Sequence, residues 1–417
     1  MRRLLWLLAL PLAVGAQEAP PAPVQVVGDL LTLEDARREA EQNALEVALA
    51  RWDVEFARAE VARWTGAALP DVAGFVNLSV GAGLTQVGFQ RPIAGLAALG
   101  VQGSVRLFDP ATWAAAAAAH RTRRGAEALV DWARARARQQ VTELYTSVRL
   151  EQAIAESLDR AARSAEEDAA AVEELVRAGL RPTSDGARTR AEALDLRARA
   201  IEARGRQVAA CASLQDLMAR AIDGVCPLAP VPADAQPEEQ VGTHPALVAA
   251  QEALAEAKTQ QISAVGAQLP SVEASGTAAH YQPQGQQGGF GWNLGLGIQV
   301  PLRAVTEGRG EVMGAAAARG AAEESLAGQE RSLDAARISA EAEWEAAAAA
   351  VRAREGGVEA AAAALLLVQE RYRAGLADVS ALLDARRAEV DAEVGLLQAR
   401  ARRWAALAAL EAARGVR

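Results

Sequence analysis

The stretch RYRAGLADVSALLDAR, residues Arg371–Arg386, decides the fold. It carries a helical pattern into Gly375 and resumes that pattern almost at once, as the tip of a helical hairpin does. Nearly the same tip occurs earlier in the chain, as LVRAGLRPTSDGARTRAE at Leu175–Glu192. A chain that contains the same hairpin tip twice is predicted to be internally duplicated.

A second pair of matching segments supports the duplication. GAALPDV at Gly66–Val72 corresponds to GAQLPSV at Gly266–Val272. Each Leu-Pro ends a helical run, because proline disfavours helix for the residue before it. We therefore predict two tandem repeats, at residues 17–222 and 243–417, joined by an acidic, proline-rich linker at 223–242.

After each Leu-Pro the periodicity of apolar residues changes from helical to two. The clearest case is a run in which Trp292, Leu294 and Leu296 alternate with Asn293 and Gly295. Such alternation predicts strands with one apolar face and one polar or small face. Four strands of about ten residues are predicted, at 71–81, 98–108, 271–282 and 291–302.

Two interpretations of these strands compete. They are either a half-buried sheet of a soluble domain, or membrane strands with the apolar face toward lipid and the polar face toward water. The aromatic residues favour membrane strands, because many of them lie near the predicted strands, where interfacial girdles occur. They are Phe75, Phe89, Phe108, Tyr281, Phe290 and Trp292.

Each second strand leads into a very long helix. Asp109-Pro110 is a favourable start, since Asp accepts from free amides and Pro suits the first turn. The long helices are predicted at 110–178 and 307–374, each about 100 Å long. They exceed an ordinary domain and require coiled-coil partners, which favours hairpins over a compact soluble bundle.

Shorter helices complete each repeat. Return helices are predicted at 183–221 and 378–414, after tips at 179–183 and 375–378, with Thr183 or Ser184 and Asp378 as their caps. Helices at Ala44–Ala67 and Pro245–Ala267 lead into the strands. The two shorter pieces of a repeat together match the long helix, so linker and termini are expected partway along the rod.

Four membrane strands cannot close a barrel, and open edges in lipid leave costly unpaired backbone groups. Several chains must therefore combine their strands. A dimer gives eight strands, and side chains largely fill the lumen of an eight-stranded barrel. A trimer gives twelve strands and a water-filled pore. We predict a homotrimer that is mainly α with membrane β: a twelve-stranded barrel above a coiled-coil tunnel.

The N-terminus and the composition limit the location. Arg2 and Arg3 precede an apolar run at Leu4–Ala16, which predicts a secretory signal peptide at residues 1–16. No later segment reaches about 18 consecutive apolar residues, so helical membrane insertion is not expected. The formal net charge of −9 argues against a nucleic-acid partner.

The cysteines and histidines of the sequence do not indicate a metal site or a catalytic site. Cys211 and Cys226 are either a disulfide, as an exported chain permits, or two small buried residues. The 3 histidines are scattered, so no metal site or cofactor is expected. There is no phosphate-binding, HExxH or GxSxG motif, and we predict that the chain is not an enzyme.

The order of these motifs resembles the outer membrane efflux proteins, the TolC-like channel components of tripartite efflux and type I secretion systems. The resemblance is carried by LTLEDARREAEQNALEV at Leu31–Val47, THPALVAAQ at 243–251, the two Leu-Pro segments, VPL at Val300–Leu302 and YRAGLADVSALLDAR. It implies an exit duct in the outer membrane that extends into the periplasm. Its implied partners are outer-membrane lipid, a periplasmic adaptor and an inner-membrane pump.

The resemblance also implies roles for the two tips. A periplasmic adaptor would contact Arg177, Ala178, Gly179, Leu180, Arg373, Ala374, Gly375 and Leu376. Asp384, Asp185 and Ser184 are the candidates for the entrance constriction. The alternative for the tips is a structural helix turn, and the alternative for Asp384 is a solvated helix residue. The alternative functions are a soluble periplasmic coiled-coil adaptor and a structural rod across the envelope.

Overall fold

The structure, a computed structural model, describes residues 30–84, 93–232, 236–237, 242–283, 287–301 and 305–416. The predicted signal peptide at 1–16 and the predicted strand end at Leu302 lie outside these residues, as does part of the linker. The elements are α1 (Leu33–Asn43), α2 (Leu45–Ala67), β1 (Asp71–Leu84), β2 (Ile93–Phe108), α3 (Pro110–Arg177), α4 (Thr183–Leu217), α5 (Pro245–Gly266), β3 (Ser271–Pro283), β4 (Gly289–Gln299), α6 (Val305–Arg373) and α7 (Val379–Arg414).

The two long helices have the same length. Helix α3 has 68 residues and α6 has 69, so each extends for about 100 Å. Asp109 caps α3 by accepting from the Thr112 amide, and Pro110 stands in the first turn, as its residue type favours. In the described ranges, no helix combines the length and the apolar character needed to cross a bilayer.

Several element bounds differ from those expected from the sequence. Helix α4 ends at Leu217 instead of residue 221, because Ala219 adopts a left-handed backbone with φ 55°. Strand β4 ends at Gln299, and Pro301, which has no amide hydrogen to donate, follows within two residues. An additional helix, α1, precedes α2 and is separated from it at Ala44, whose ψ is 138°.

Antiparallel pairing places the four strands in the order β1-β2-β3-β4. The register aligns the apolar positions of the strands: Val76 lies opposite Leu99. In the next row, Val101 lies opposite Ala278, which lies opposite Trp292. His280, between Leu99 and Phe290, is a polar exception on this otherwise apolar face. One face is therefore apolar across the sheet, with Val76 80% exposed and Leu294 79% exposed in the single chain.

The opposite face of the sheet is polar or small, as the alternation predicts. It carries Asn77, Gln102, Thr277, Asn293 and Gln299. An exposed apolar face on one side and a polar face on the other is the distribution of a membrane strand between lipid and water. Among the described residues, β1 and β4 each have one strand edge without a partner.

The helices stand side by side in the same order as the strands. Above the level of the linker, α3 packs between α2 and α5, and α5 packs against α6. Below that level, α3 packs between α4 and α7, and α7 packs against α6. The lateral edges of the chain are thus α2 and α4 on one side and α6 on the other.

The linker and both ends of the described chain meet halfway along α3. We call this level the belt; it comprises residues 30–44, 226–232, 242–246 and 406–416 and the part of α3 that they contact. The Tyr145 hydroxyl lies 2.8 Å from the Leu31 carbonyl oxygen and 2.7 Å from that of Ala229. Burial raises the pKa of Tyr145 to about 12, so the phenol stays protonated. A disulfide joins Cys211 and Cys226.

The belt also contains a buried ion pair. The Arg37 guanidinium lies 3.2 Å from the Glu411 carboxylate, and both side chains are buried. Arg37 donates further to the Thr142 hydroxyl at 2.9 Å and to Glu34 at 2.9 Å. Helices α1, α3 and α7 are therefore joined by one guanidinium, which links the two repeats at this level.

His244 makes the belt sensitive to acid. Its Nδ1 accepts from the Ala246 amide at 3.2 Å, and its Nε2 lies 3.2 Å from the Ala412 carbonyl oxygen. Burial lowers the pKa of His244 below its usual value of 6.5, because the charged ring is poorly solvated there. Since the folded pKa is the lower one, stability is complete above pH 6.5 and falls as the pH drops toward the folded pKa.

We expect this loss of stability in the melting temperature of the detergent-solubilised protein, measured between pH 5 and 8. The matched control is His244→Asn, whose side-chain oxygen can still cap α5 but does not titrate. The variant should lack the part of the decrease that begins near pH 6.5. Equal pH profiles for wild type and variant would contradict the assignment to His244.

Candidate functional site

Both tips close with the same pair of backbone hydrogen bonds. In the second tip, Gly375 donates to the Tyr372 carbonyl at 3.0 Å and Leu376 donates to the Arg371 carbonyl at 2.8 Å. Gly375 has φ 79°, a conformation that other residues rarely adopt. Gly179 of the first tip has φ 74° and the equivalent bonds. This αL closure of a helix explains why both repeats contain Gly at this position.

The return helices begin differently after the two tips. Asp378 caps α7, since its carboxylate accepts from the Ala381 amide at 2.8 Å. Helix α4 begins at Thr183 directly after Pro182, which caps it without a side-chain hydrogen bond. The predicted capping by Thr183 or Ser184 is therefore wrong, and Ser184 is an exposed residue of the first turn.

The residues predicted for adaptor contact form the exposed ends of both hairpins. Leu180 is 70% exposed and Leu376 is 79% exposed, although both are large and apolar. Arg177 pairs only with Glu174 of its own helix, at 2.5 Å. All eight predicted residues are exposed: Arg177, Ala178, Gly179, Leu180, Arg373, Ala374, Gly375 and Leu376.

Arg181 ties the first tip to the second. Its guanidinium donates to the carbonyl oxygens of Tyr372 at 2.7 Å and Ala377 at 3.3 Å. It also lies over the Tyr372 ring, 4.3 Å from the ring centroid. Cations at a helix C-terminus satisfy free carbonyls and interact favourably with the helix dipole. The two hairpins are thus held together directly behind their ends.

Asp185 lies behind this contact and not at the surface. The Tyr372 hydroxyl donates to the Asp185 carboxylate at 3.3 Å, and both side chains are buried. Burial raises the pKa of Tyr372, and the negative charge of Asp185 raises it further. Asp185, a candidate for the constriction, is therefore a buried hydrogen-bond acceptor for a tyrosine of the other hairpin.

A second polar layer joins the hairpins farther from the tips. The buried guanidinium of Arg386 forms an ion pair with Asp168 and donates to Ser164 at 3.1 Å. The Arg387 guanidinium forms a bidentate contact with the Glu192 carboxylate, in which Nη2 lies 2.6 Å from Oε2. Such bidentate arginine–carboxylate pairs combine strength with a fixed geometry.

Asp384 is an exposed residue of α7, whereas Asp185 is buried. The Glu192 carboxylate raises the pKa of Arg387, and the charges of Asp384 and Asp195 add to that effect. Asp384 therefore stands close to a positive side chain. Of the three predicted constriction residues, Ser184 and Asp384 are exposed and Asp185 is buried.

Sequence reasoning did not identify Tyr372, Arg181, Arg386 or Arg387. A signal for Tyr372 is present in the duplication itself: the residue three before the tip glycine is Val176 in the first repeat and Tyr372 in the second. Within the described residues, no cluster of His, Cys, Asp and Glu suits a metal ion.

Comparison with known proteins identifies relatives of the fold. A family model described as outer membrane efflux protein matches residues 36–220 and 237–416. The chain superposes on the outer-membrane channel OprN with a TM-score of 0.83 and 20% identity, over 92% of this chain and 89% of that chain. No curated protein matches the chain in sequence.

Two further channel structures are similar. VceC of Vibrio cholerae has a TM-score of 0.80 and 18% identity, with 92% of this chain and 96% of that chain covered. The open state of MtrE of Neisseria gonorrhoeae has a TM-score of 0.76 and 22% identity, with 92% and 88% covered. At these identities the similarity establishes the fold.

Proposed function

The chain belongs to the outer membrane efflux protein family, and from that premise we propose that three copies form the exit duct of a tripartite efflux or type I secretion system. Membership of the family makes the protein an outer-membrane channel component and not an enzyme. It rules out the soluble periplasmic adaptor. The non-conducting envelope rod differs from the duct in whether the protein passes ions.

The sheet is the observation that carries the proposal. Its apolar face extends over four strands, apart from His280, and its other face is mostly polar or small, yet β1 and β4 remain open at the edges. In lipid those edges must pair with other chains, because unsatisfied backbone groups are costly there. Three copies supply twelve strands, and the long helices continue the resulting pore for about 100 Å.

The exposed tips are the proposed docking site of the periplasmic adaptor. Leu180 and Leu376 present apolar side chains at the ends of both hairpins, where the family implies the adaptor contact. Gly179 and Gly375 end the two helices at the tips with a positive φ, and the neighbouring Arg177 and Arg373 add positive charge. An inner-membrane pump would deliver cargo through that adaptor, and the outer-membrane lipid would surround the barrel.

The gate is proposed at the same end of the tunnel. The contacts of Arg181 and Tyr372 hold the two hairpins of each chain together, and Asp384 lies on the exposed side of α7. Three copies of Asp384 around the axis would narrow the entrance and favour cations, as carboxylate rings do. Asp185 supports the gate from inside the wall, and Ser184 stands at the surface beside the first tip.

The test is the conductance of the purified protein in planar bilayers. Discrete ion-conducting steps are expected from wild type. Asp384→Ala should reduce the preference for cations over anions by roughly twofold or more, because a ring of three charges is removed. The matched control is Asp334→Ala, which removes an exposed aspartate of α6 about 60 Å from the tips.

Two outcomes would contradict these proposals separately. Folded, helical protein that inserts but passes no current would favour the envelope rod over the duct. Clear channels in which Asp384→Ala and Asp334→Ala behave alike would leave the duct intact and remove Asp384 from the constriction.

A further inference from the structure

One lateral edge of the chain carries a row of large apolar residues that are more than half exposed. Leu194, Ile201 and Val208 of α4 are 59%, 59% and 53% exposed. They recur every seven residues, and each follows by five residues a buried position: Thr189, Leu196 and Ala203. Five residues correspond to a rotation of about 140° beyond one full turn, so this row faces away from α3. We call these three residues the α4 seam.

The other lateral edge carries a matching row of small residues. Ala349, Gly356 and Ala363 of α6 also recur every seven residues, and all are exposed. Gly356 follows the buried Val351 by five residues, so this row likewise faces away from the body of the chain. We call these three residues the α6 seam.

Gly356 has no explanation within one chain. Glycine weakens a helix relative to alanine, and here it stands in the middle of a 69-residue helix. A Cβ added at this position would meet nothing within 4 Å, so no neighbour in the chain requires its absence. Close approach of a second backbone or of a large side chain is the usual reason for such a glycine.

The two seams lie at the same heights above the tips. The α4 seam residues follow Thr183 by 11, 18 and 25 positions, and the α6 seam residues precede Arg373 by 10, 17 and 24 positions. At 1.5 Å per residue the paired positions differ by about 2 Å, less than half a helical turn. Leu194 thus matches Ala363, Ile201 matches Gly356, and Val208 matches Ala349.

From these observations we propose that the α4 seam of one copy packs against the α6 seam of the next copy around the ring. Large residues on one edge and small residues on the other interdigitate, whereas a twofold contact would set large against large. The sheet indicates the same boundary between copies. Helix α2, which lies above α4, leads into edge strand β1, and α6 follows the other edge strand, β4. The inference rests on the proposed trimer and specifies its register.

The experiment is disulfide cross-linking of the full-length protein in outer-membrane vesicles. The double variant Ile201→Cys with Gly356→Cys places one thiol in each seam, while the two native cysteines are paired with each other. The matched control is Ile201→Cys with Gly357→Cys. Gly357 is also an exposed mid-helix glycine without neighbours within 4 Å, but it points about 100° away.

Oxidation of the Gly356 pair should give covalent dimers and closed trimers on a non-reducing gel, at least fivefold more than the Gly357 pair. Light scattering of the same variants, purified in detergent before oxidation, reports the oligomeric state independently. A trimer by light scattering in which the Gly356 pair links no better than the Gly357 pair would overturn the seam and leave the duct standing. Monomers by light scattering would overturn both.

Discussion

Arg37→Met is expected to lower the free energy of unfolding by about 3–5 kcal/mol, because it removes one member of a buried ion pair. Glu411 is buried, and Arg37 lies 3.2 Å from it in the belt. The variant also removes the donor to the Thr142 hydroxyl, which lies on a third helix. The measurement is denaturant unfolding in detergent, followed by the helical circular dichroism signal.

The neighbouring residue provides the matched control. Arg38 has the same side chain on the same helix, but it is exposed and pairs with Asp35 at the surface. Arg38→Met should change the free energy of unfolding by less than about 1 kcal/mol, as exposed pairs do. Combining Arg37→Met with Glu411→Leu should recover part of the loss, because apolar side chains then replace both members of the buried pair. Equal effects of the two arginine variants would show that the belt does not depend on this pair.

Tyr372→Phe is expected to open the channel entrance. The variant keeps the ring but removes the hydroxyl that donates to the buried Asp185 carboxylate. Loss of a hydrogen bond to a charged group costs about 1.5–3 kcal/mol, which shifts the ratio of closed to open tips by about 10- to 150-fold. The measurement is the conductance and open probability of single channels in planar bilayers.

Tyr145 supplies the control for this variant. Its hydroxyl is also buried and hydrogen-bonded, but it lies in the belt, far from the tips. Tyr145→Phe should lower stability without changing the conductance. If both variants conduct like wild type, the Tyr372–Asp185 contact does not control the entrance. If both conduct more, the effect comes from a general loosening of the helices.

The strand faces could be predicted because the relevant information is local. The alternation of Trp292, Leu294 and Leu296 with Asn293 and Gly295 assigns each side chain to a face, and the register confirms that assignment across the sheet. Likewise, Gly375 and Gly179 mark helix ends by their own backbone preference. Element bounds were less predictable, since the end of α4 depends on the single left-handed residue Ala219.

The contacts that join the hairpins could not be predicted in this way. Tyr372 and Asp185 are 187 residues apart, and Arg386 and Asp168 are 218 apart. No local pattern specifies which helix faces which at that separation. A carboxylate at position 185 looks solvated in the sequence, and only the packing of α6 and α7 on the first hairpin makes it buried.

The belt gives the lower half of the molecule a mechanical character. The linker and the chain ends are held by Tyr145 and by the Cys211–Cys226 disulfide. The belt is therefore the fixed point, and each hairpin below it is a lever arm with one free end. Helix α4, with 35 residues, makes that arm about 52 Å long. A tilt of about 10° at the belt would move the free end of this arm by about 9 Å.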